Sequence, residues 1–261
     1  MGRKKIDLNY EEIGQEYLLG NDLISLGKKY KVSQWTLLDR FKELGVRKTT
    51  KRTLNKKAFS IFTSQSCYWA GFIAADGWVN KVYRLGVELS FKDKDHLIKL
   101  GLFLQSNAEI KSRSRKNFGK IQDYCYVCFN SSELVKDLET NFNIITNKSL
   151  IYQFPELPTD MIRHFIRGYI DGDGSIGWHK YNNKPRLNIC SGSKKLLEWI
   201  FKQFQTNMEN IGNPSIIKRK NSNLYTIEFM GLQVITILDW IYKDTDIYLD
   251  RKYLKFKDLN G

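Results

Sequence analysis

Asp76 and Asp173 hold the same place in two nine-residue stretches, and each is followed by glycine. The first stretch reads Trp69-Ala70-Gly71-Phe72-Ile73-Ala74-Ala75-Asp76-Gly77. The second reads Ile166-Arg167-Gly168-Tyr169-Ile170-Asp171-Gly172-Asp173-Gly174. Two carboxylates brought together repel unless a cation lies between them, and oxygen donors suit Mg²⁺. The aspartates lie 173 − 76 = 97 residues apart, so only the fold can bring them together. Either copy alone would also fit a glycine-rich core helix that ends in an Asp-Gly turn, with no cation at all.

The elements that position such a pair follow from spacing. Gly71 and Ala75 are four apart, as are Gly168 and Gly172. Small residues at that interval line one helix face and let a second helix approach with its backbone nearly in contact. The aspartate then falls at the helix end, where Gly77 or Gly174 is expected to take the left-handed conformation that stops a helix. The duplication runs further. Arg84-Leu85-Gly86-Val87 recurs as Arg186-Leu187-Asn188-Ile189, and Tyr126-Val127-Cys128-Phe129 as Thr226-Ile227-Glu228-Phe229. Leu134, Val135 and Leu138 match Val234, Ile235 and Leu238, and Asn147-Lys148-Ser149-Leu150 matches Arg251-Lys252-Tyr253-Leu254. The chain thus carries two repeats of about a hundred residues, each predicted as helix, two strands, helix, two strands, helix.

Both motifs, their separation and this element order resemble the LAGLIDADG homing endonucleases in their single-chain, two-repeat form, over roughly residues 59–258. The resemblance implies an α/β (α+β) fold of two pseudo-twofold-related αββαββα repeats, with the motif helices at the interface and the sheets forming a saddle over DNA. It implies that Asp76 and Asp173 bind two or three divalent ions, Mg²⁺ above all, which hydrolyse one phosphodiester on each strand. The carbonyls of Ala75 and Gly172 are expected as further ligands. Lys148 and Lys252 stand where the family places one lysine per repeat at the edge of the site, and are expected to polarise solvent there. The second motif departs from the first by Asp171 in place of Ala74; in the family this is an interface or capping position. Three readings stay open: a site-specific nuclease, a non-catalytic DNA-binding regulator on the same fold, and an intron RNA maturase.

Charge points the same way without the family. The chain of 261 residues holds 42 Lys+Arg and 28 Asp+Glu, a net charge of +14. Such an excess suits a polyanion partner, because neutralising phosphates releases condensed counterions. Lys111, Arg113 and Arg115 alternate, so on a strand they share one face. Lys218-Arg219-Lys220 is their expected counterpart, and Arg84 and Arg186 are matched candidates for DNA contact. The resemblance, not the charge, implies that the partner is a long duplex target bound by a monomer. No apolar run is long enough to cross a bilayer, and the N-terminal Met1-Gly2-Arg3-Lys4-Lys5 leads into charged sequence, which suits an intracellular, cytoplasmic or nucleoid-associated protein. Cys125 and Cys128 have zinc-like spacing, but on a strand they face opposite ways, and Cys67 and Cys190 complete no site; free thiols are expected.

The first 57 residues hold 14 Lys+Arg and 7 Asp+Glu, half the net charge. Three short helical periodicities stand there: Ile13, Tyr17 and Leu18; then Leu23, Leu26 and Tyr30; then Leu37, Leu38, Phe41 and Leu44, up to Gly45. Lys31-Val32-Ser33 is the predicted turn, with Ser33 as N-cap and Gly27 where two crossing helices need a small residue. This layout resembles the helix-turn-helix domains of resolvases and transposases. Gln34, Trp35, Thr36 and Arg40 would head a recognition helix. The expected division is residues 1–46 for this domain, 47–57 for a basic linker with Lys51 and Arg52 as phosphate contacts, 58–158 for the first repeat and 159–261 for the second.

Overall fold

A computed structural model describes residues 8–19, 21–46, 52–117 and 119–260, in two compact units, 1–52 and 53–261. The N-terminal Met1–Lys5 segment and most of the expected linker, with its contact candidate Lys51, lie outside the described residues.

Among its described residues the first unit has three helices, α1 (Tyr10–Leu18), α2 (Leu23–Tyr30) and α3 (Gln34–Glu43). Each begins on a side-chain cap: Asn9 accepts from the amides of Glu11 and Glu12, Asp22 from Ile24 and Ser25, and Ser33 from Thr36. Such caps satisfy amides that the first helical turn leaves without a partner. The turn after α2 runs through Lys31 in the left-handed region (φ 54°). A Cβ on Gly27 would lie 2.8 Å from the Val32 carbonyl, so only glycine fits that crossing. The core is small: Ile13, Leu26, Leu37 and Phe41, with Tyr17 stacked on Phe41. Three leucines expected inside are exposed, Leu18, Leu38 and Leu44. Helices of eight to ten residues cover only a narrow stripe, and these three lie beyond it.

The second unit is built from α4 (Ser64–Asp76), β1 (Gly77–Val79), β2 (Arg84–Ser90), α5 (Lys94–Phe103), β3 (Lys111–Asn117), β4 (Lys120–Asn130) and α6 (Ser132–Phe142). It then repeats as α7 (Thr159–Asp173), β5 (Gly174–Trp178), β6 (Pro185–Ser191), α8 (Lys194–Asn207), β7 (Ile217–Lys218), β8 (Tyr225–Met230) and α9 (Leu232–Tyr242). The first repeat closes on a single 3₁₀ turn, Lys148–Leu150; the second closes on a full helix, α10 (Asp250–Asn260). Each repeat forms one antiparallel four-stranded sheet, in the orders β1-β2-β4-β3 and β5-β6-β8-β7.

The unit's packing begins at Thr53, within the segment expected as linker. The Thr53 amide donates to Asn107 Oδ1 (3.0 Å) and the Asn55 amide to the Leu104 carbonyl (2.7 Å).

At the centre α4 and α7 pack backbone to backbone. A Cβ on Gly71 would overlap the carbonyl of Phe165, and one on Gly168 the carbonyl of Tyr68. Each contact is the other shifted by the 97-residue repeat, as a twofold relation requires. Both helices are buried over most of their length, and the capping box of Thr63 and Ser66 starts α4. One expectation fails: neither Gly77 (φ −96°) nor Gly174 (φ −83°) is left-handed. The chain passes directly from helix to strand, and glycine is needed there for room. A Cβ on Gly77 would lie 2.7 Å from Ile73 Cγ2, and one on Gly174 2.5 Å from the Ile170 carbonyl.

Register sorts the sheet residues. In the first sheet Leu85, Val87, Leu89, Cys125, Val127 and Phe129 face the core. The opposite face carries Arg84, Glu88, Tyr124 and Tyr126, and beside them Lys111, Arg113 and Arg115, the last opposite Gln122. In the second sheet the outward face carries Arg186, Asn188, Cys190, Thr226 and Glu228. Cys125 and Cys128 point to opposite faces, and all four cysteines are free thiols.

Candidate active site

Asp76 and Asp173 are the last residues of the two central helices, and the close crossing brings them together. A Cβ on Gly172 would overlap that of Ala75 and lie 3.4 Å from Asp76 Oδ2. Glycine at 172 is therefore what lets the Asp76 carboxylate reach the second motif. Burial, and next the charge of Asp173, push the Asp76 carboxyl up to about 6, although Lys252 and Arg251 pull it down. Asp173 is also raised, by burial, against the pull of Lys252, Tyr169 and Lys148. Two carboxylates that resist ionising side by side form a place where a cation is favoured.

Both expected lysines reach the ends of these helices, and both are buried. Lys148 Nζ donates to the Gly77 carbonyl at 2.6 Å. Lys252 Nζ, from the first turn of α10, donates to the carbonyls of Ile170 (2.8 Å), Asp171 (2.6 Å) and Gly172 (2.8 Å). A helix C-terminus leaves carbonyls unpaired and carries partial negative charge, so an ammonium there is favoured. Burial lowers both lysines to about 8, while Asp173 and Asp76 hold Lys148 up and Asp171 holds Lys252 up most strongly.

Asp171 is fully buried and belongs to a different structure. It accepts from Tyr68 Oη (2.8 Å), Tyr242 Oη (2.6 Å) and the Leu249 amide (2.8 Å). One turn earlier, buried Arg167 donates to the carbonyls of Ile241 and Ile247 at 3.0 Å. Together they fasten the α9–α10 connection to α7. The corresponding positions of α4, Ala70 and Ala74, are apolar.

The donors expected at the crossing are two carboxylates and the carbonyls of Ala75 and Gly172, of which the Gly172 carbonyl accepts from Lys252 Nζ. Among the described residues no group of three or more His, Cys, Asp or Glu could hold a metal ion. The set suits a hard cation that keeps several waters, as Mg²⁺ does, and suits Zn²⁺ poorly. His96 and His164 are occupied elsewhere, with Tyr68 Oη and Arg167.

A stability signature follows from the raised Asp76. Above its ordinary value of 3.8 the unfolded chain gives up this proton while the folded protein keeps it up to about 6. Asp76 therefore weakens folding progressively as pH rises through that window. In a chelator at pH 7, Asp76→Asn is expected to melt above the unsubstituted protein, with the gap closing towards pH 4. Thermal melts at the two pH values check this, and a gap independent of pH would contradict it.

A family model described as a LAGLIDADG-like domain matches residues 160–244. The match lies within the second repeat. That span holds the second motif helix with Asp173, the second sheet and α9. Among solved structures, the homing endonuclease I-WcaI bound to its DNA recognition sequence is 16% identical, with a TM-score of 0.53 over 84% of this chain and 92% of that one. A doubly lysine-to-alanine-substituted I-SmaMI is 14% identical, with a TM-score of 0.50 over 77% and 90%. At these identities the likeness is one of fold, and the LAGLIDADG fold is the fold of this chain. No curated protein sequence matches it.

Around the two central helices, the remaining sequence candidates fall in different places. Gln34, Trp35, Thr36 and Arg40 are exposed on α3, Trp35 at 68%; Arg40 pairs with Glu43 (2.6 Å). Arg52 is exposed. Lys111, Arg113 and Arg115 share one face as alternation requires, and Glu88 pairs with Arg113 and with Arg115 (3.0 Å). Arg84 donates to Asn130 Oδ1 (2.9 Å), whereas Arg186 is paired with Glu228. The basic triplet divides: Arg219 lies over Cys190 on the outward face, Lys218 faces the other way opposite Tyr225, and Lys220 is in the turn. Alternation separates neighbours on a strand, so a run of three cations cannot present one face. Sequence reasoning passed over Arg167, Asp93 and Arg251 as site residues. Arg251 carries one visible signal: it stands beside Lys252 where the first repeat has Asn147.

Proposed function

We propose that this protein is a site-specific DNA endonuclease that breaks both strands by divalent-metal-dependent hydrolysis, acting as a monomer whose repeats replace a dimer axis. The observation that carries the reading is completeness. Both motif helices keep their aspartate, the crossing sets the two side by side, and each repeat delivers a lysine to its own helix end. The fold is shared with I-WcaI, a homing endonuclease solved on its DNA recognition sequence. No helix among the described residues is long and apolar enough to cross a membrane.

Asp76, Asp173 and the carbonyls of Ala75 and Gly172 would hold the ions. A bound Mg²⁺ supplies Lewis acidity and a water of lowered pKa. The chain's own residues do the rest. The glycine crossing fixes the spacing of the carboxylates, and Lys148 and Lys252 bring positive charge to the edge of the site. The outward sheet faces, with Arg84, Lys111, Arg113, Arg115, Arg186 and Arg219, carry the duplex through phosphate and base contacts. Incubation of a randomised duplex library with Mg²⁺ and recovery of cut ends tests the reading. One enriched target cut on both strands is expected; binding without ends would favour a regulator, and preference for structured RNA a maturase.

The first unit adds affinity and reach in this proposal, with α3 entering a flanking major groove as a helix-turn-helix. Tethering raises its local concentration there. A protein beginning at Arg52 keeps the Thr53 and Asn55 contacts of the second unit. It is expected to cut the same bonds at higher enzyme concentration, with a footprint shortened on one side only. An unchanged footprint would assign α3 to another partner.

A further inference from the structure

The two lysines of the proposed nuclease site are held very differently, and the difference lies in contacts from both repeats that gather around the helix of Lys252. Lys148 sits in one 3₁₀ turn and, among the described residues, its ammonium makes one hydrogen bond, to the Gly77 carbonyl. Lys252 sits in a helix whose approach is fastened on two sides. Towards α7, Arg167 and Asp171 hold residues 241–249 as described above. Towards the first repeat, Arg251 Nε donates to both oxygens of Asp93, each at 2.9 Å. Lys99 of α5 donates to Asp250 Oδ1 (2.7 Å) and to the Tyr248 carbonyl (3.2 Å).

Asp93 leads into α5 yet caps no amide of it; its carboxylate is spent on Arg251. The matching residue before α8, Ser193, caps Leu196 in the ordinary way and donates to the Tyr152 carbonyl. The partner position is Asn147 in the first repeat. The Asp93 side chain is only 6% exposed, and that of Arg251 40%. A pair with one partner nearly enclosed is more strongly coupled than one in open solvent.

We propose that Asp93 and Arg251 form a cross-repeat clamp that positions Lys252, so that the two hydrolytic half-sites are unequal and the strand served by Lys252 is cut first. The clamp rests on the nuclease reading. Asp93 and Arg251 are positioning residues: they act through the lysine next to Arg251 in the chain. With the clamp, first-repeat atoms fix a second-repeat lysine through a charged pair; among the described residues the converse hold, from Ser193 of the second repeat to the Tyr152 carbonyl beyond Lys148, is one neutral hydrogen bond.

The test is single-turnover cleavage of the selected duplex, with each strand end-labelled separately. The unsubstituted protein is expected to cut one strand faster and to pass through a nicked intermediate. Arg251→Gln and Asp93→Asn are each expected to slow the faster strand by about tenfold, the scale of small misplacements, and the slower strand by less than about twofold. Arg251→Lys should restore part of the rate, and it carries the test if Asp93→Asn fails to fold. DNA affinity in Ca²⁺ should stay within about twofold, because neither Asp93 nor Arg251 lies on a strand of either sheet. Equal slowing of both strands, or none, overturns the clamp and leaves the nuclease reading standing. So does an unsubstituted protein that cuts both strands at one rate. A protein that cuts neither strand overturns both.

Discussion

Asp76→Asn and Asp173→Asn are each expected to lower double-strand cleavage by about a thousandfold or more, with DNA affinity in Ca²⁺ changed little. The amide keeps the shape of the carboxylate and loses the charge that would hold a divalent ion, and each tenfold in rate corresponds to about 1.4 kcal/mol of lost transition-state stabilisation. The two variants should behave alike, because the glycine crossing sets both aspartates at one junction. Single-turnover rates with saturating enzyme separate this loss from weaker binding. A rate within about tenfold of the unsubstituted protein for either variant would remove that aspartate from the site.

Gly168→Ala is expected to cost about 3 kcal/mol or more, and to lower the melting temperature of the second unit by about 6–12 °C. The new Cβ would overlap the Tyr68 carbonyl, which is backbone in a buried helix and cannot turn aside. Relief requires the two helices to separate, which also draws Asp76 from Asp173. Activity should therefore fall with stability. Gly177→Ala is the matched control: nothing lies within 4 Å of its added Cβ, so it should stay within about 0.5 kcal/mol. If the two substitutions melt alike, the backbone-to-backbone packing is wrong.

The parts of the molecule legible in the sequence are those set by local spacing or by repetition. Small residues four apart announced the helix crossing, alternation placed Lys111, Arg113 and Arg115 on one face, and the repeat of Lys148 in Lys252 marked both lysines. Ser33 is the cap that its turn implied. What stayed hidden depends on three dimensions. The Gly77 and Gly174 conformations follow from where the next strand leaves the helix, and an Asp-Gly pair is compatible with either ending. The resemblance gave Asp171 an interface or capping place, but its partners could not be read, because the donors Tyr68, Tyr242 and Leu249 lie 103, 71 and 78 residues away. The Asp93–Arg251 pair spans 158 residues and has no repeat to announce it. Leu18, Leu38 and Leu44 were misplaced because apolar periodicity marks a face without saying how much of it a small core covers.

The central claim is that the duplicated aspartates make one metal-dependent site that cuts both strands of DNA. Its most direct test is the selected duplex incubated with the unsubstituted protein in Mg²⁺, in Ca²⁺ and in chelator, beside the Asp76→Asn/Asp173→Asn double variant in Mg²⁺. Paired cuts at one fixed position on both strands, only with the unsubstituted protein in Mg²⁺, is the predicted result. Equal cutting by the double variant, or tight binding with both strands left intact by the unsubstituted protein in Mg²⁺, would contradict it.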